Sequence, residues 1–163
     1  MTVKPSVITL KAPASKHRTR VREIVEGTAL FRPEEVEIAL EVFDGAIEEP
    51  GVDYTAIGAF EGEYLVGFAS FGPTSGTVGT WDLYWIAVDP AGHRQGIGRK
   101  LANACERVMA GDGGWLVVAE TSSRADYGPT RAFYEALGYT VAARVADFYA
   151  PQDDLVVYTK RLS

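Results

Sequence analysis

Cysteine occurs once in the 163 residues, at Cys105, and histidine twice, at His17 and His93. A single thiol closes no internal disulfide, and two histidines so far apart leave no Cys/His set at zinc spacing, so no metal site is expected. Positive charge is also in short supply: 16 Lys and Arg stand against 22 Asp and Glu, for a net charge of −6. The basic residues are scattered and lack the continuous positive field that neutralises many phosphates, so no nucleic-acid partner is expected. No run of about 18 apolar residues occurs, and the N-terminal stretch lacks the apolar segment of a secretory signal. The expectation is a soluble, cytoplasmic protein that does not engage a membrane.

What the chain does have is a high apolar content, 47% of its residues, and enough length for one domain, 1–163, with a substantial core. Apolar residues at helical spacing predict helices over 17–29 and 33–48, the second opened by Pro33. "SVITL" (6–10), "YTAIGAF" (54–60), "YLVGFASF" (64–71) and "WDLYWIAV" (81–88) read as strands, the last three as an antiparallel meander with a long turn at 72–79. A helix is expected from Gly96, with Ile97, Leu101, Ala104, Cys105 and Val108 on its apolar stripe. Then come a buried strand (115–121), a helix between Pro129 and Gly138, and two closing strands, "TVAARVADFY" (140–149) and "DLVVYTKRL" (154–162). A strand, a helix and a strand over 81–121 imply a parallel crossover within an otherwise antiparallel sheet, hence a mixed α/β architecture.

The segment "GHRQGIGRK" (92–100) sets three glycines and three basic residues ahead of a helix. A P-loop requires Gly-Lys-Ser/Thr five positions after its first glycine, where Ile97 stands, so that template fails. The dinucleotide fingerprint would start at Gly96 and finds Leu101 in place of its third glycine, although Glu120 falls near its acidic position. A third reading asks only for a helix N-terminus whose first amides lack acceptors, with Gly96 and Gly98 letting a diphosphate approach the backbone and Arg94, Arg99 or Lys100 near its charge. The alternative is an ordinary glycine-rich turn with solvated basic side chains.

"WDLYWIAVDPAGHRQGIGRKLANACE" together with "TRAFYEALGY" resembles the GCN5-related N-acetyltransferase (GNAT) family, whose strand, Q/R-x-x-G-x-G/A turn and helix bind acyl-coenzyme A. The resemblance covers about residues 54–161. It departs from the pattern at His93, which occupies the Q/R position. It implies a GNAT-like fold, a mixed and mostly antiparallel sheet with helices on both faces, and acetyl-coenzyme A as donor substrate. The pantetheine arm would pair with the main chain of Ile86, Ala87 and Val88, and the diphosphate would lie against His93, Arg94, Gln95, Gly96, Ile97, Gly98 and Arg99.

By the same resemblance, Tyr134 matches the tyrosine that protonates the departing sulfur and also borders the cofactor. Asp82, early in its strand, and Glu120, at the end of the neighbouring one, are the alternative bases, acting through water. Cys105 reads as core rather than nucleophile, and Thr121, Ser122 and Ser123 as turn formers. The segment 146–154, with Phe148, Tyr149, Asp153 and Asp154, is expected to be a loop bordering the acceptor or a solvated turn. The implied activity is direct acetyl transfer to a primary amine, with a small-molecule amine as acceptor. Its alternatives are a peptide or protein amine, or a non-catalytic acyl-coenzyme A sensor. Members often dimerise through their late strands, so a homodimer is allowed.

Overall fold

In the computed structural model, which describes residues 6–92 and 96–163, the elements follow the expected order. Strand β1 (Ile8–Lys11) precedes helices α1 (Arg18–Gly27) and α2 (Pro33–Glu48). Strands β2 (Thr55–Glu61), β3 (Tyr64–Pro73) and β4 (Thr80–Val88) come next, followed by α3 (Ile97–Gly111), β5 (Leu116–Ser122), α4 (Gly128–Ala136), β6 (Thr140–Ala150) and β7 (Asp153–Arg161). The seven strands form one mixed sheet in the order β1-β2-β3-β4-β5-β7-β6. Strands β4 and β5 are parallel, and the pairs β1/β2, β2/β3, β5/β7 and β6/β7 are antiparallel. No helix among the described residues is long and apolar enough to cross a membrane.

The chain forms two compact units, residues up to Phe71 with Trp85–Cys105, and Gly72–Tyr84 with Glu106–Ser163. In the first, Val21, Ile24 and Val25 on α1 and Val36, Ala39, Leu40 and Phe43 on α2 recur at three- and four-residue intervals and are all buried. They pack on Phe60, Leu65, Phe68 and Ala87 of the strands. Pro33 starts α2, and the Glu35 carboxylate accepts the Arg32 N–H at 2.7 Å, satisfying one of the amides that a helix start leaves over. Successive strand residues point to opposite faces, so Gly67, next to Phe68, turns the other way, toward Ile97 and Leu101 of α3. Helices thus cover both faces of the sheet.

In the second unit, Met109, Val117, Ala119, Tyr139 and Tyr158 form the buried centre, whereas Val108, expected on the apolar stripe of α3, is exposed on the solvent side of the helix. Glu106 of α3 accepts hydrogen bonds from Lys160 Nζ at 2.6 Å and from the Tyr139 hydroxyl at 3.3 Å, fastening the helix to β7 and to the chain after α4. Arg131 of α4 donates to the carbonyls of Ser122 at 2.7 Å and Arg124 at 2.8 Å, which holds the β5–α4 connection against its own helix. Gly138, at φ 92°, ends that helical segment in the left-handed conformation.

Candidate active site

The donor-binding candidates lie in the first unit and the candidate acid and bases in the second. Strand β4 delivers Ile86 and Val88, both half-buried, and Ala87, buried, to the start of a turn. His93, Arg94 and Gln95 lie outside the described residues. Beyond them Gly96 has φ 66°, a conformation that side chains with a Cβ rarely adopt, and among the described residues a Cβ built on it would meet nothing within 4 Å. Its carbonyl accepts the Lys100 N–H at 3.0 Å, which makes Gly96 the cap of α3. The amides of Ile97, Gly98 and Arg99 then occupy the first turn, where a helix offers them no internal acceptor. No acidic residue stands in that turn to oppose the positive end of the helix dipole. Ile97 and Leu101 are buried and anchor the helix, while Arg99 and Lys100 are exposed. This arrangement suits an anionic diphosphate: open space, donating amides, flanking cations and an anchored helix.

Two supports of the turn went unrecognised in the sequence. A Cβ at Gly67 would lie 3.2 Å from both the Ala87 carbonyl oxygen and Ile97 Cγ2, and 3.3 Å from Leu101 Cδ1, so glycine permits the close seating of α3 on the sheet. A glycine inside the strand pattern "YLVGFASF" was the available signal. Asp89 is the second support: its N–H donates to the Val66 carbonyl at 2.8 Å, and its carboxylate Oδ1 accepts the Ala91 N–H at 2.9 Å.

In the second unit, the parallel ladder pairs Thr80 with Leu116, Trp81 with Val117 and Asp82 with Val118, so Asp82 occupies its last rung. The Asp82 carboxylate accepts hydrogen bonds from the Thr74 hydroxyl at 2.6 Å and the Tyr84 hydroxyl at 3.3 Å. Glu120 lies two residues beyond Val118 on the same face of β5, opposite Val157 of β7, and reaches solvent. Partial burial raises the Glu120 carboxyl above its ordinary value, and the negative charge of Asp82 pushes it further in the same direction. The two candidate bases therefore feel each other and differ in kind: one is held by two hydroxyl donors, the other is made more basic. Tyr134 is buried in α4, with its ring centroid 5.3 Å from that of Tyr139 and 5.8 Å from that of Tyr158, the latter stacked.

The 146–154 segment departs from expectation. Strand β6 continues to Ala150, so only residues 151 and 152 form the turn. Asp153 is buried and accepts the Ser122 hydroxyl, with Arg124 Nη1 at 3.9 Å. Asp154 accepts from Arg144 Nε at 2.7 Å and from the Asp147 N–H at 2.9 Å, and the two donors hold its carboxyl below the ordinary value. Both acids are thus engaged within the hairpin and its neighbouring loop. Thr121 and Ser122, expected as turn formers, instead end strand β5, where the Thr121 hydroxyl donates to the Val156 carbonyl of β7 at 3.1 Å, and Ser123 follows the strand with its hydroxyl accepting the Asp154 N–H at 2.8 Å. Cys105 is buried in the core.

The sequence profile of the acetyltransferase (GNAT) family matches residues 20–139. The chain belongs to the GNAT family of acetyltransferases. A GNAT-family protein from Desulfovibrio desulfuricans is 35% identical, with a TM-score of 0.92 over 96% of this chain and 100% of its own. The ribosomal-protein-S18-alanine N-acetyltransferase of Escherichia coli shares the fold at 21% identity, with a TM-score of 0.76 over 96% of this chain and 95% of its own. So does an aminoglycoside 6'-N-acetyltransferase solved with coenzyme A, at 20% identity and a TM-score of 0.75 over 95% of this chain and 97% of its own. No curated protein matches the chain. Membership makes this GNAT protein an acyltransferase by class, with acetyl-coenzyme A as the donor.

Proposed function

We propose that this GNAT protein transfers the acetyl group of acetyl-coenzyme A directly to a primary amine of a small metabolite, with no covalent enzyme intermediate. The observation that carries the donor half is the Gly96 turn: a left-handed glycine with no described atom within 4 Å of its missing side chain, at the head of a helix whose first three amides have no acceptor within the helix itself. The amides of Ile97, Gly98 and Arg99 would hold the diphosphate, with the guanidinium of Arg99 close to its charge and the motif residues His93, Arg94 and Gln95 completing the turn. The main chain at Ile86, Ala87 and Val88 would take the pantetheine arm as an added strand.

The donor supplies an activated acyl carbon; the protein must position the amine, remove its proton and return one to sulfur. We assign the base to Glu120, working through a water. Its raised basicity favours Glu120 as the proton acceptor, whereas the Asp82 carboxylate is engaged by two hydroxyl donors and its negative charge acts on Glu120. Tyr134 is assigned as the acid and as a neighbour of the cofactor sulfur: a phenol of pKa about 10 remains protonated at neutral pH and can donate to a thiolate whose conjugate acid lies near about 8.5. Residues 1–163 then act as one acetyltransferase domain in the cytoplasm, apart from membranes and nucleic acids. Edge strand β6, exposed along residues 140–148, supports a homodimer.

Calorimetric titration with acetyl-coenzyme A in the absence of acceptor tests the donor half. Binding at one site per chain supports the reading, and a folded protein that takes up none refutes it. A library of small amines and peptide N-termini, read by release of free thiol, tests the acceptor half. Turnover of peptides alone would replace the metabolite acceptor, and binding without any turnover would favour a sensor.

A further inference from the structure

The turn that opens the donor site is held from helix α1 by one side chain. Arg20 sends its Nε to the Leu65 carbonyl at 2.8 Å, Nη1 to Glu23 at 3.1 Å and Nη2 to Asp89 Oδ2, while its guanidinium carbon lies 4.3 Å from the centre of the Tyr64 ring. Its side chain is 15% exposed and that of Asp89 20%. The other oxygen of the same Asp89 carboxylate accepts the Ala91 N–H, and the Asp89 carbonyl accepts the Gly92 N–H at 2.9 Å. Asp89 therefore shapes residues 89–92, the described entrance to the Gly96 turn, and Arg20 fixes Asp89 against β3.

Two physical consequences follow. A guanidinium satisfies a carbonyl, a carboxylate and an aromatic face together because its donors diverge in one rigid plane, which an ammonium cannot copy. It also balances a carboxylate that would otherwise oppose a dianionic diphosphate binding at the same turn.

We infer that Arg20, through Asp89, is a positioning residue for acetyl-coenzyme A binding: it holds residues 89–92, which lead toward Gly96, and balances the Asp89 charge. The inference rests on the donor-site reading of that turn.

The test uses the full chain, with acetyl-coenzyme A titrated calorimetrically and the melting temperature recorded for each variant. Arg20→Met should raise the Kd about tenfold, the effect of losing one charge-assisted hydrogen bond, and should raise the KM for acetyl-coenzyme A while kcat at saturation stays near wild type. Arg20→Lys, which keeps the charge and loses the fork, should fall between the two and serves if the Met variant does not fold. Because Asp89→Asn removes the carboxylate charge, the double variant Arg20→Met/Asp89→Asn should bind more tightly than Arg20→Met alone. A purely structural role would instead make the two losses add. Wild-type affinity in a folded Arg20→Met variant, or additive losses in the double variant, overturns the inference. Absence of binding by the wild type overturns the donor-site reading beneath it.

Discussion

Replacing Gly96 by leucine is the perturbation for which the structure separates two effects that are usually confounded. At φ 66° a residue with a Cβ is strained, at about 1–2 kcal/mol. For a chain of this length that loss lowers the melting temperature by roughly 2–8 °C. Among the described residues nothing lies within 4 Å of the added Cβ, so none of them clashes with it to enlarge the effect. Gly62, in the β2–β3 turn, has φ 61° and equally open surroundings, so Gly62→Leu matches the strain without touching the proposed donor turn. The ligand effect belongs to Gly96 alone. A side chain there occupies the space before the amides of residues 97–99, and losing a hydrogen bond to a charged diphosphate removes about 1.5–3 kcal/mol. That corresponds to roughly a 10- to 100-fold rise in Kd for acetyl-coenzyme A. Calorimetry on both variants, with melting curves alongside, checks it. The expected outcome is a matched loss of stability and a loss of affinity confined to Gly96→Leu. A folded Gly96→Leu protein that binds as well as Gly62→Leu would refute the cradle.

Other outcomes follow from the same geometry. Tyr134→Phe keeps the packing against Tyr139 and Tyr158, so kcat should fall about 100-fold while the Kd for acetyl-coenzyme A stays put. Comparable losses in both would assign the hydroxyl a structural role. Because Glu120 must be deprotonated to act as base, the rate should rise with pH through its elevated pKa. Asp82→Asn removes a negative charge that helps to raise that pKa, so the acid limb should move to lower pH, and an unmoved limb would take the base role from Glu120. The folded state holds the Glu120 proton more tightly than the unfolded chain, so its ionisation above the raised pKa disfavours folding. Glu120→Gln should therefore raise the melting temperature at pH 7, with the gain vanishing below the ordinary carboxylate range. Gly67→Ala presses on the Ala87 carbonyl and Ile97 and should destabilise the fold by about 1–3 kcal/mol, weakening acetyl-coenzyme A binding as α3 is displaced. Ser70 Oγ is buried without a hydrogen-bond partner among the described residues, so Ser70→Ala should stabilise the fold by about 1 kcal/mol in chemical denaturation.

Element order was legible because its signals are local. Apolar spacing in α1 and α2 marks the buried face whatever that face packs against, and Pro33 and Gly138 stop or start helices through their own backbone constraints. The glycine-rich turn was legible for the same reason: glycines at a strand-to-helix junction mark a local change of conformation, and Gly96 has a positive φ. The closing strand "TVAARVADFY" (140–149) was legible from its own residues, whereas reading 146–154 as the connection to the last strand overlapped it. Strand β6 runs through to Ala150, with Asp147 in the left-handed conformation and its carboxylate accepting the Gln152 N–H at 2.7 Å.

The sequence by itself determined the order of strands and helices, the place of the glycine-rich turn before α3 and the set of chemically able side chains, since each depends on residues within a few positions of one another. Tertiary structure alone decided what those side chains are free to do. Asp153 and Asp154 are withdrawn into the network of Ser122, Arg124 and Arg144, and Asp82 is bound by hydroxyls while Glu120 is made more basic. Arg20 meets Asp89 across 69 positions of chain. Charge state and hydrogen-bond partnership are set by neighbours in space, and for these residues the neighbours arrive from other strands and helices.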